Sequence, residues 1–217
     1  MKYPIETDTG TGERLRLVRV HGKGSEAWLE IEGLAEPGVG PPMHVHFFQD
    51  EGLRVEHGRL GYVIGEGEPL YAAPGEEVIF RAGEVHRFWN AGEEELRGTG
   101  WVSPVGNFPW FITRLHDSIR RNGGRPGLFE GAFLMRRYAS EFDMMEIPAP
   151  VKRFVFPVLV ALGTLLGKYR AYADAPEPIR GDPRPVAAKD RPSPLAVRDG
   201  AGPFEGLPDH RSPPTKS

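Results

Sequence analysis

Apolar residues alternate with polar ones in short runs along the first half of the chain, and each run is closed by Gly, Pro or Asn. Leu15 and Leu17 recur with Val20 in ERLRLVRVHG, while Ala27, Leu29 and Ile31 share a phase in SEAWLEIEG from which Trp28 is absent. His44, His46 and Phe48 form a third alternating set, and in LRVEHG Leu53 and Val55 face one way with Arg54 and Glu56 facing the other. Gly58 then permits a tight turn. RLGYVIG, PLYAAPG, EEVIFRAG, HRFWNAG and ELRGTGWVSP repeat the rhythm as far as Ser103. A period of two in such short runs predicts the strands of an antiparallel sandwich or barrel.

After Pro104 the period lengthens to that of a helix. Phe108, Phe111, Leu115 and Ile119 make one stripe, and Asn122-Gly123-Gly124 is a helix stop. Leu128, Met135, Tyr138 and Phe142 predict a second helix from about Pro126 to Phe142. A third, from about Pro150, is apolar on every side between Phe154 and Leu166 except at Thr164, and Pro157 and Gly163 weaken it. The run 154–166 is too short to span a bilayer. It is expected to be buried against the barrel or in a homodimer; its flanks Lys152, Arg153, Lys168 and Arg170 make peripheral contact with an anionic membrane surface the rival. The last 44 residues hold ten prolines and too little apolar surface to fold alone. The expected organisation is a β-barrel over 1–103, a helical extension over 104–172 and an extended or disordered tail over 173–217.

Charge sharpens this division. The net charge of −3 combines 18 acidic against 10 basic residues over 1–103 with 5 against 10 over 104–172. An acidic barrel repels phosphate backbones, so a nucleic-acid partner is not expected. The absence of cysteine excludes disulfides, thiolate metal sites and a thiol nucleophile. MKYPIETDTG lacks the apolar core of a secretory signal, and no eighteen apolar residues run together, so a cytoplasmic protein without a membrane span is expected.

The candidate chemistry lies in GVGPPMHVHFFQDEGLRVEHG, Gly38 to Gly58. His44 and His46 stand two apart on a strand and share a face; Glu51 follows, and His86 in GEEVIFRAGEVHRFWN completes three histidines and one carboxylate, a set that suits a first-row transition ion. The same phase turns Phe48 and Phe88 inward beside the metal, with Arg87 and Trp89 outward; Gln49 and Tyr62 are further pocket candidates. His21, His57, His116 and His210 are expected at the surface.

Gly38, His44, His46, Glu51 and Gly58, followed by Gly75, Gly83, His86 and Asn90, resemble the two motifs of the cupin family, with sixteen residues, Arg59 to Pro74, between them. Arg81 departs from the pattern where proline is usual. The resemblance covers roughly residues 10 to 103 and implies a mainly β, cupin-type antiparallel barrel (jelly roll) holding one divalent metal on His44, His46, Glu51 and His86. The barrel followed by helices resembles, loosely, cupins with a C-terminal helical extension. Four ligands about a six-coordinate ion leave two positions for substrate, so the metal centre itself is the catalytic candidate. Iron, manganese, nickel and zinc all suit it. The first functional expectation is an oxygenase-type (dioxygenase-like) oxidoreductase acting on a small metal-chelating molecule. The alternative is a metal-dependent binding or regulatory module, and an isomerase or lyase comes third because no further acid–base pair stands at a fixed spacing.

Overall fold

The computed structural model describes residues 1–181 and 193–195. The alternating half of the chain folds as ten strands: β1 (Ile5–Asp8), β2 (Glu13–His21), β3 (Trp28–Ala35), β4 (His44–His46), β5 (Asp50–His57), β6 (Leu60–Ile64), β7 (Leu70–Ala72), β8 (Glu77–Phe80), β9 (His86–Asn90) and β10 (Leu96–Ser103). They form two antiparallel sheets. One has the order β1-β2-β3-β10-β5-β8; the other runs β4-β9-β6-β7 and gains a fifth strand, β11 (Phe142–Met144), at its β4 edge. This is the mainly β jelly-roll class that the alternation predicts.

Inward phases meet between the sheets. Leu17, Leu29, Ile31 and Val102 belong to one buried cluster, Val55, Leu60, Phe80 and Leu96 to the other. Each such side chain contributes roughly 1.5–3 kcal/mol when fully removed from water. Helix α1 (Phe108–Arg121) lays Phe108, Phe111 and Leu115 on the first cluster. It stops where expected: the Asn122 amide bonds the Ser118 and Ile119 carbonyls, and Gly123 takes φ +70°.

The second predicted helix is shorter than its stripe suggests. Helix α2 covers Leu128–Arg137, after which the Glu141 and Phe142 amides turn back onto the Tyr138 carbonyl. Phe142–Met144 is therefore strand, pairing Phe142 with His46 and Met144 with His44. The free edge of β4 decides this, because pairing satisfies backbone groups that a further helical turn would leave open there.

The third helix, α3 (Phe156–Leu165), follows a π-helical turn over Val151–Val155. Burial of the 154–166 run against the barrel is not found. Phe154, Val158, Leu165 and Leu166 are 64, 57, 83 and 63 % exposed. Helix α3 contacts α2, and beyond its end the Tyr169 hydroxyl donates to the Phe129 carbonyl. No helix among the described residues is long and apolar enough to cross a membrane. The first residues of the predicted tail are tied down: Arg137 donates to the Ala175 and Pro176 carbonyls and the Ile179 amide to Glu141 Oε1. The rest of the tail, His210 included, lies outside the described residues, apart from 193–195.

Candidate metal centre

Strand β4 is three residues long and all three are buried, so His44 and His46 both project into the space between the sheets. His44 and His86 are direct cross-strand partners in the β4–β9 register. Glu51 arrives from β5 in the opposite sheet. Its Oε2 lies 3.1 Å from His86 Nε2 and 3.8 Å from Nε2 of both His44 and His46. One ligand atom each from His44, Glu51 and His86 falls within 4.8 Å of the others. His46 reaches the same carboxylate from just outside that triplet.

The other ring nitrogen of two histidines is engaged. His44 Nδ1 meets the Pro42 carbonyl at 2.8 Å and His86 Nδ1 the Glu84 carbonyl at 2.9 Å. Each carbonyl accepts from Nδ1–H, which turns the Nε2 edge of the ring toward Glu51, the orientation a metal ligand needs. His46 has no hydrogen bond at Nδ1; its ring packs edge-on to Phe142 and tilted to Phe108. Phe80 lies flat on His86, centroids 4.0 Å apart. Arg81, where proline is usual, leaves the loop intact: its amide donates to Glu84, its guanidinium pairs with Asp50 at 3.3 Å, and Gly83 takes φ +84°.

Burial would raise the Glu51 carboxyl, but its interactions with His44 and His86, and then the charge at His46, hold it well below the carboxylate range. Burial lowers His46 to about 3, with Glu51 opposing and His44 and His86 adding to the fall. An anionic carboxylate facing the ring nitrogens of three histidines, one of which, His46, favours its neutral form, is a donor set ready for a cation. The residues present therefore fit a divalent ion.

The site opens into a cavity of about 250 Å³ whose wall is mostly apolar. Phe88 lines it, as its phase predicts, and Trp89, expected outward, borders it too. Phe48 is buried but off the wall, because β4 ends at His46 and the alternation is lost there. Gln49 is also buried away from the cavity, beneath Gly106, where an added Cβ would meet its Nε2 at 2.6 Å. Tyr62 sits edge-on to Phe80 behind the wall.

Two wall residues escaped the sequence reading. Glu13, the first residue of β2, and His116 of α1 line the same cavity, with Glu13 Oε2 and His116 Nε2 3.8 Å apart. The expectation of a surface His116 is wrong: the residue is 2 % exposed. Its signal was in the stripe itself, since 108, 112 and 116 are spaced by four. His21 stacks on Trp28 and bonds Glu30, and His57 faces Glu94, both away from the cavity.

Residues 33–101 match the family described as Cupin domain. The match falls within the two-sheet fold described above, whose class is that of the cupins. Within that class the chain is similar to "Oxidoreductase iacF" of Pestalotiopsis fici, 37% identical over 69 residues. It is also similar to "Probable oxidoreductase virH" of Hypocrea virens, 36% identical over 70 residues. These matches take in 30 and 31% of this chain and 33 and 32% of the fungal proteins, so the alignment spans about a third of each relative. Among solved structures, KdgF from Halomonas sp. is 17% identical over 48% of this chain and 92% of its own, with a TM-score of 0.42. A double-stranded β-helix protein of Klebsiella pneumoniae is 26% identical over 39% of this chain and 69% of its own, with a TM-score of 0.35.

Proposed function

We propose that His44, His46, Glu51 and His86 hold one divalent transition ion and that the protein is a metal-dependent oxidoreductase of the oxygenase type, acting on a small organic molecule in the cavity. The observation that carries this reading is the convergence of three imidazole Nε2 atoms on one half-buried carboxylate, two of those rings already fixed through Nδ1. Nitrogen and oxygen donors of this kind suit iron, manganese, nickel or zinc. When bound, such an ion supplies Lewis acidity and, where it is redox-active, electron transfer. The Pro42 and Glu84 carbonyls orient His44 and His86, and Glu51 offsets one positive charge. Phe80 and Phe88 keep water from one side and Phe108 from another, where polar interactions strengthen. The oxidoreductase names of the two fungal relatives support the reaction class.

Oxygen uptake tests this directly. Anaerobic Fe(II)-loaded protein given catechols or diketones is expected to consume dioxygen when air is admitted. A thermal shift produced by the same compounds without oxygen uptake would overturn the reading in favour of a non-catalytic binding module.

We also infer that the exposed stripe on α3 and its preceding turn rests on an anionic membrane surface. Residues 147–173 contain no Asp or Glu, and Arg153, Lys168 and Arg170 stand at the two ends of the apolar run, with Lys152 beside them paired to Asp143 at 2.6 Å. A second copy packed along this stripe would bring like-charged ends close, whereas anionic headgroups complement them.

A further inference from the structure

Glu13 and His116 have no part in the proposed metal site, yet they share its cavity. Helix α1 presents Phe108, Phe111, Ile112, Leu115 and Ile119 to that cavity, and His116 is the one polar side chain on this face. Glu13 faces it from β2, whose start is fixed by the Glu13 amide on Thr9 Oγ1 and by Thr9 N–H on the Glu13 carbonyl. On the Glu13 side those bonds use only its backbone. Among the described residues the Glu13 carboxylate accepts no hydrogen bond, and its 3.8 Å separation from His116 is beyond hydrogen-bond reach.

A structural staple between β2 and α1 does not account for the pair. An ion pair in this setting needs close geometry to offset the desolvation of both charges. Burial instead drives both partners toward neutrality: Glu13 is raised to about 7, with Glu51 adding to the rise and His44 opposing it, and His116 is lowered to about 4. A half-buried carboxyl and a buried imidazole without a mutual hydrogen bond stand in a largely apolar wall, and His116 Nδ1 has no hydrogen-bond partner among the described residues. A ligand placed between them supplies the missing partner.

The geometry points to a second polar subsite, formed by the Glu13 carboxyl and the His116 imidazole, that binds a neutral hydroxyl of the cavity's occupant while the His44, His46, Glu51 and His86 cluster takes its metal-binding oxygens. This rests on the metal reading above. The substrate class is then a ring-sized, largely apolar molecule with a chelating oxygen pair and a separate neutral hydroxyl. A cavity of about 250 Å³ agrees in size, since benzene fills one of roughly 150 Å³. At pH 8, the pH of the test below, Glu13 is ionised and His116 uncharged, so a carboxylate in place of that hydroxyl is rejected.

The test is a calorimetric titration, at pH 8, of Zn(II)-loaded full-length protein with catechol, 4-methylcatechol, 4-(hydroxymethyl)catechol and 3,4-dihydroxybenzoate. The hydroxymethyl compound should bind about tenfold more tightly than the methyl compound, and the carboxylate about tenfold more weakly, as expected for one hydrogen bond gained or one buried anion left unpaired. Glu13→Leu and His116→Phe should each flatten this ranking. Glu13→Gln, which keeps a donor and an acceptor but loses the charge, should retain the hydroxymethyl preference and admit the carboxylate. A wild-type protein without the ranking, a ranking that survives Glu13→Leu, or no binding by any of the four overturns the subsite. Catechol affinity that is equal with and without Zn(II) would count against the metal reading instead; the ranking of the three substituted catechols then tests the subsite in metal-free protein by the same criteria.

Discussion

Glu13 illustrates how one side chain couples the site to stability. Its carboxyl titrates near 7 in the folded protein against 4.5 ordinarily, so between those values the folded state holds more protons than the unfolded one. Stability must therefore fall as pH rises through this window. The full shift corresponds to a penalty on the order of 3 kcal/mol as an upper bound. His116, lowered to about 4, works in the opposite sense, losing stability as pH falls from 6.5. Because His116 is present in both proteins, comparing wild type with Glu13→Gln isolates the carboxyl. Metal-free Glu13→Gln should match wild type near pH 4.5 and exceed it by about 1–3 kcal/mol at pH 8 in denaturant unfolding; an equal difference at both pH values would contradict the assignment. At this scale the four candidate ligands were legible because His-x-His on a strand fixes a shared face. Glu13 was not, since a charged residue at the start of a strand looks solvent-facing until α1 closes over it. Phe48 misled for the converse reason, as alternation was extrapolated past the strand's end.

Elements with strong periodicity were readable and short ones were not. Strand β3 and helix α1 follow from their patterns, and the stop at Asn122-Gly123 was visible in the residues themselves. Strand β11 has three residues, and Phe142 fits a helical stripe as well as a strand; only the open edge of β4 decides between them. The apolar run of α3 was legible as a helix, but its surroundings were not, because hydrophobicity alone does not specify a partner. Liposome flotation tests the membrane reading. Wild-type protein should float with phosphatidylserine vesicles and not with neutral ones, and Leu162→Glu with Leu165→Glu should abolish it. A concentration-dependent dimer lost in that same double variant, with no flotation, would show that a second copy covers the stripe.

At the scale of the whole molecule, the acidic barrel and the basic extension meet through pairs such as Arg120 with Asp8 at 3.0 Å, so part of the charge asymmetry is used internally. Such exposed pairs contribute little individually, about 0–1 kcal/mol. The extension matters more for what it places on the barrel: α1 carries Phe108 to His46 and His116 to Glu13, and β11 covers the β4 edge directly behind two candidate ligands. Sequence patterning divides the chain at Ser103, whereas the cavity wall is built from both sides of that boundary.

The central claim is that His44, His46, Glu51 and His86 bind one transition ion. Metal content per chain, measured by plasma mass spectrometry after loading and desalting, tests it most directly when wild type is compared with His86→Ala and Glu51→Gln. The account predicts close to one equivalent in wild type and a loss of about tenfold or more in affinity for each variant, with both variants still folded. A wild-type protein that retains no stoichiometric metal, or variants that retain as much as wild type, would contradict it.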